Sequence, residues 1–143
     1  MNERELTVAA IQMSSTPNKD ENLTTAEQLI HAAASSGADL VTLPELWNCH
    51  GLEKAYRENA EPIPGETTRF LGDLARERGI YLLGGSILER HLPSPKLHNT
   101  STLFRPDGEM SAERGNPTTG RGSVVSVGRR APGSATTTKR ATE

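Results

Sequence analysis

Ten residues, Ala38 to Trp47, constrain this chain more than any other stretch. The run Ala-Asp-Leu-Val-Thr-Leu-Pro-Glu-Leu-Trp sets three bulky apolar side chains, Leu40, Val41 and Leu43, within four positions and then stops at Pro44. Bounded by Gly37 and Pro44, it is too short for a helix and carries the punctuation of a buried parallel strand. The residue after the stop is a carboxylate, Glu45. In open α/β sheets ligands bind at the carboxyl ends of the strands, so placement alone makes Glu45 a site candidate; the alternative is a solvated loop acid.

The preceding residues supply this strand's neighbours. Leu6 to Met13 is apolar on both alternating faces, with Leu6, Val8 and Ala10 opposing Ala9, Ile11 and Met13, which predicts a strand buried on both sides. A polar turn follows, and Asn18 with Glu21 three residues on resembles a helix N-cap and its capping-box partner. Leu23, Ala26, Ile30 and Ala33 recur at helical spacing, and Gly37 suits the left-handed position that closes such a helix. Strand, helix and the Leu40 strand form one βαβ unit.

After Glu45 the residues from Asn48 to Pro64 read as an irregular connection, a candidate pocket wall or a surface excursion. A helix is expected from Glu66, with Phe70, Leu71, Leu74 and Ala75 on its apolar face and Gly79 as its stop. Ile80 to Leu88 reads as a third buried strand, whose Gly84-Gly85 pair admits a bulge or the close approach of another backbone. Those two glycines are not a dinucleotide fingerprint, which needs three spaced glycines between a strand and a helix. Asn99 to Arg105 alternates polar and apolar residues before the turn at Pro106-Asp107-Gly108, the signature of one hairpin arm.

The partner arm is not evident. From Ser111 to Glu143 the only branched aliphatics are Val124, Val125 and Val127, with no Leu, Ile, Phe, Tyr or Trp. Such a segment cannot bury enough surface to offset its ordering entropy, so residues 111–143 are expected to be a disordered, low-complexity basic tail. The charge divides at the same place. Residues 1–110 carry ten Lys and Arg against sixteen Asp and Glu, a formal −6; residues 111–143 carry six against two, a formal +4. The abrupt change at Ala112 reads as a changed reading frame or an accidental terminus rather than an evolved tail.

Composition excludes several classes of partner and compartment. The acidic front part offers no positive field for nucleic acid or an anionic membrane, and the tail lacks the aromatic interleaving of a single-strand binder. No segment approaches the ~20 apolar residues of a membrane span, and the acidic N-terminus is unlike a secretory signal. A single cysteine, Cys49, rules out an internal disulfide framework and suits a reducing compartment, so the cytoplasm is the expected location.

Five blocks taken in order resemble the nitrilase superfamily of carbon-nitrogen hydrolases. They are Val8-Ala9-Ala10-Ile11-Gln12-Met13, Gly37 to Leu46, Ile63-Pro64-Gly65-Glu66, Ile80 to Ser86, and His98-Asn99-Thr100. The resemblance covers about residues 5–110, the N-terminal part of that family's domain, nearest the branch of omega-amidases and related small-amide hydrolases. It implies an α/β fold, the N-terminal part of a four-layer αββα sandwich, so that residues 1–110 form a partial hydrolase domain followed by the tail. It also implies a Glu-Lys-Cys triad without metal or cofactor, a small-molecule amide substrate, and oligomerisation, which is common in the family. Glu45 matches the family's glutamate, the base that takes the cysteine proton and later activates water. The family's lysine and cysteine should lie beyond Met110. There this chain reads Ser111-Ala112-Glu113-Arg114-Gly115-Asn116, without the aromatic-Arg-Lys pattern, and Lys139 stands in no matching context. Cys49, four residues after Glu45 and next to His50, lies in the wrong loop to replace the nucleophile. His50 and Asn99 read as structural, and the 143 residues are expected to be inactive alone.

Overall fold

The computed structural model describes residues 5–117, which form one five-stranded sheet with helices packed on one of its faces. In chain order the elements are β1 (Val8–Ala10), α1 (Lys19–Ser35), β2 (Leu40–Thr42), α2 (Glu53–Asn59), α3 (Glu66–Arg78), β3 (Tyr81–Arg90), β4 (Leu97–Phe104) and β5 (Met110–Pro117). The strands lie in sequence order across the sheet; β1, β2 and β3 are parallel, and β3, β4 and β5 are antiparallel. This is the α/β architecture the sequence leads one to expect.

The helices form where the spacing and caps require them. Asn18 Oδ1 accepts from the N–H groups of Asp20 and Glu21 and so satisfies two donors that helix geometry leaves open at the start of α1. Glu21 does not bond back to the cap as a capping box has it; its carboxylate accepts from Thr16 Oγ1, which in turn accepts from Asn18 N. Ala26 and Ile30 of α1 and Leu71, Leu74 and Ala75 of α3 are buried against Val41, Leu82, Ile87 and Phe104 of the sheet. Each fully buried Ile or Leu contributes about 1.5–3 kcal/mol relative to an exposed one. Gly79 ends α3 at φ 63, and Gly37 takes φ 90 after α1, as their positions after the two helices imply.

Register separates two faces. Ala9, Val41, Leu82 and Phe104 make one cross-strand row, turned toward the helices. Val8, Leu40 and Tyr81 form the next row, and Ala10, Thr42, Leu83 and Leu103 the one after, both on the opposite face. The expectation of a first strand buried on both sides is therefore corrected: Leu6 is 61% and Val8 53% exposed, because both core-forming helices cover the same face. The regular strand is also shorter than Leu6 to Met13, although Ile11 N still donates to Thr42 O at 2.9 Å.

Two further expectations change. The connection from Asn48 to Pro64 contains a helix, α2, with no buried residue; a seven-residue segment without an apolar stripe has no periodic signal, and an ion pair between Glu53 and Arg57 one turn apart supports it. The missing hairpin arm is present as β5, which pairs with β4 from Phe104↔Met110 to His98↔Pro117. Its polar sequence hid it, since antiparallel pairing is made by main-chain groups that every residue but proline carries in full. The first seven residues of the expected tail are thus strand; residues 118–143 lie outside the described residues.

Candidate active site

Glu45 stands just beyond the carboxyl end of β2, where Pro44 stops the strand and a turn begins. The chain turns there through an unusual conformation. Leu46 has φ 49, and it is the one described residue other than glycine with a positive φ. A left-handed conformation brings a Cβ close to its own carbonyl and costs about 1–2 kcal/mol for an L-residue.

The turn is held from β3. The ladder between β3 and β4 shifts register between Leu83 and Ser86, and the shift contains the Gly84-Gly85 pair. Gly85 adopts φ 60, and a Cβ there would lie 2.0 Å from Pro44 O, so the strand end and the bulge can meet only over a glycine. Beyond the bulge, Ser86 N donates to Pro44 O at 3.2 Å, and Leu46 N donates to Ser86 Oγ at 3.1 Å. Trp47, fully buried, donates from Nε1 to Gly84 O at 2.8 Å, and Ser15 Oγ donates to Trp47 O at 2.7 Å.

The Glu45 side chain is exposed, yet one of its oxygens is held: Asn99 Nδ2, on β4, donates to Glu45 Oε1 at 2.6 Å. Asn99 is 5% exposed, and its Oδ1 is buried without a hydrogen-bond partner among the described residues. The ladders pair Asn99 with Leu88 on one side and Asn116 on the other. Glu45 stands at a strand end as its sequence context leads one to expect, and Asn99, read from the sequence as structural, is the residue its carboxylate meets. A polar residue at a buried position of an alternating strand was the available signal, and only the fold shows what it touches.

Cys49 and His50 are placed away from this arrangement. Cys49 is buried, with its Sγ 3.8 Å from Pro17 O, and burial pushes its thiol above the ordinary value of 9.0; a hydrogen bond with Asn59 and the charge of Lys19 pull the other way. Such a thiol is protonated near neutral pH and unsuited to attack. The exposed His50 ring pairs with Tyr56, Nδ1 to Oη at 3.2 Å.

Two polar clusters escaped the sequence reading. Glu61, 6% exposed, accepts from Thr67 N at 2.6 Å and from Thr67 Oγ1 at 3.0 Å, and pairs with Lys19 Nζ at 2.8 Å. Its main chain bridges to β3 through Leu88 O and Arg90 N, so it fastens the connection after the Glu45 turn to the sheet. Buried Asn22 holds the same connection from α1: it accepts from Thr16 N and donates to Thr16 O and Asn48 O. Among the described residues no cluster of three or more His, Cys, Asp and Glu is arranged to hold a metal, and no helix is long and apolar enough to cross a membrane.

The profile of the carbon-nitrogen hydrolase family matches residues 7–121. Over 103 residues the chain is 47% identical to the omega-amidase NIT2 of Xenopus tropicalis, a match covering 72% of this chain and 37% of the relative. It is 43% identical over 106 residues to the omega-amidase NIT2 of Homo sapiens, covering 74% and 38%. The crystal structure of Saccharomyces cerevisiae Nit3, a member of branch 10 of the nitrilase superfamily, superposes with a TM-score of 0.69 at 31% identity, over 77% of this chain and 43% of that one. An amidase from Nesterenkonia sp. shares the fold, with a TM-score of 0.63 at 23% identity over 76% and 41%. The chain therefore spans well under half the length of the relatives it matches.

Proposed function

This chain belongs to the carbon-nitrogen hydrolase family, and from that premise we propose that its complete domain hydrolyses small linear amides through a cysteine thioester, with Glu45 as the general base. The observation that carries the reading is the presentation of Glu45: an exposed carboxylate at a strand's carboxyl end, on a strained turn, with one oxygen bound by Asn99. A thiol near its free pKa is mostly protonated at neutral pH and becomes a good nucleophile when a base within hydrogen-bond reach takes its proton. The same base then activates the water that cleaves the thioester.

The 143 residues supply the base without its partners. Cys49 is the one cysteine, and Lys139 stands outside any matching context. A base without a thiol has nothing to activate, so the expected amidase activity of this chain alone is negligible. The test is ammonia release from glutamine and succinamate analogues by the purified chain. Turnover abolished by Glu45→Gln would show that the chain is complete enough to act and would overturn the expectation of inactivity. A cytoplasmic setting accords with the single free cysteine.

The sheet face that α1 and α3 leave open among the described residues favours a second reading, in which the chain is a non-catalytic interaction module. Leu6, Val8 and Tyr81 are 61%, 53% and 45% exposed on or beside that face. Apolar residues gathered on one surface mark an interface or an aggregation hazard. Size-exclusion chromatography with a hydrophobic dye separates the readings: a compact, dye-silent monomer counts against the interaction module.

A further inference from the structure

We propose that Ser86 and Asn99 are positioning residues for Glu45, Ser86 by holding the main chain on both sides of the glutamate in its strained turn and Asn99 by holding the carboxylate. The proposal rests on the reading of Glu45 as the base, and it assigns to β3 and β4 a part in the chemistry that neither strand performs directly.

The turn is the starting point. Leucine gains nothing from a left-handed backbone, and such conformations persist only where their surroundings over-determine them. Around Glu45 itself the main-chain hold comes from one short segment, Gly84 to Ser86. Its two glycines bring the β3 backbone up to Leu43 and Pro44, at a distance where any side chain on Gly85 would collide with Pro44 O. Ser86 then closes a two-point clasp, donating its N–H to the carbonyl before Glu45 and accepting at Oγ from the N–H after it. The register shift between Leu83 and Ser86 lets Ser86 reach the strand end, and gives the bulge a use beyond bending the strand.

Asn99 acts on the other end of the residue. Asn99 is 5% exposed and enclosed by its neighbours, while the carboxylate it binds is exposed. Only Oε1 is taken; Oε2 makes no hydrogen bond among the described residues. That division suits a base, which needs one oxygen anchored for direction and another with a lone pair to accept a proton. A catalytic carboxylate must be held to within about 0.5 Å of its working position by residues that are themselves locked. A surface glutamate with three free side-chain torsions does not meet that demand without help.

If Ser86 and Asn99 served only to satisfy buried polar groups, replacing them would change stability and leave the conformation of Glu45 as it is. Nuclear magnetic resonance on the labelled 143-residue chain separates the two cases. The parent chain is expected to show the left-handed coupling signature at Leu46 and three-bond couplings of a single rotamer at Glu45. Ser86→Ala is expected to abolish the Leu46 signature and average the Glu45 couplings, and Ser86→Thr, which keeps the hydroxyl, to restore both. Asn99→Ala is expected to average the Glu45 couplings with the Leu46 signature intact. Unchanged Glu45 couplings in folded Ser86→Ala and Asn99→Ala chains overturn the proposal, as does a parent chain whose Glu45 is already averaged. Should either variant fail to fold, the exposed Glu45 gives a route from the other side: in Glu45→Ala the side-chain amide protons of Asn99 should exchange with water at least tenfold faster, and an unchanged rate overturns the Asn99 half. None of these readouts depends on Glu45 being a base, so the base reading and the positioning proposal fail separately.

Discussion

Lys19 Nζ lies 2.8 Å from Glu61 Oε2 across 42 residues of sequence, and both side chains are largely withdrawn from water. The pair joins the first turn of α1 to the connection that follows the Glu45 turn. Removing one partner of a buried pair leaves the other desolvated and uncompensated, which costs about 3–5 kcal/mol. Lys19→Met should therefore lower unfolding stability in urea by about 3 kcal/mol, toward the low end because Thr67 still donates twice to Glu61. Adding Glu61→Gln to that variant should cost less than Glu61→Gln alone; strictly additive losses would refute the coupling.

Two glycines with positive φ should respond differently to alanine. Gly37, at φ 90, has nothing within 4 Å of a built Cβ, so Gly37→Ala carries backbone strain alone, about 1–2 kcal/mol. Gly85, at φ 60, carries the same strain and a collision with Pro44 O. Thermal unfolding should show Gly85→Ala as the more damaging by at least about 2 kcal/mol. Equal losses would mean that the strand end does not press on the bulge.

The Cys49 thiol gives a pH-dependent readout. Burial, the largest influence on it, raises its pKa from the ordinary 9.0, so at neutral pH the folded chain holds less thiolate than a free cysteine. Maleimide should modify Cys49 at least about tenfold more slowly in buffer at pH 7 than in urea. The sign for stability follows. The folded state keeps its proton where the unfolded state releases it, so this contribution is complete below the ordinary thiol pKa and is lost as pH rises through and beyond it. Equal labelling rates in buffer and in urea would contradict the buried placement.

A chimera tests the role of Glu45 directly. Residues 1–110 of this chain, joined to the part of the Xenopus tropicalis omega-amidase that follows the matched segment, should release ammonia from small linear amides. Glu45→Gln in that chimera should lower kcat by about 10²–10⁴-fold, the span of general-base contributions. Retained turnover in the variant would remove Glu45 from the mechanism while leaving the family assignment untouched.

Much of this molecule was legible in the residues, and the failures share a cause. The α1 and α3 stripes, the glycine stops, the Gly84-Gly85 approach and the Glu45 strand end all rest on local spacing or on a residue type with one dominant conformational use. The polar strand β5 and the short helix α2 were missed because neither carries an apolar stripe in its sequence, and main-chain pairing leaves no mark on side-chain pattern. The double-sided burial expected of β1 failed because apolar residues permit burial on a face without supplying the layer to cover it.

The division between sequence and tertiary structure is sharpest at the site itself. The residues alone determined that a strand ends at Pro44 with a carboxylate behind it, since proline cannot donate to a ladder and the apolar run before it cannot remain in water. Only the tertiary structure decided that Ser86 and Asn99, 41 and 54 residues further along, close on that carboxylate's turn and on its oxygen. Contacts of that span depend on the register between strands, and register is set by the packing of the whole sheet rather than by the residues that finally meet.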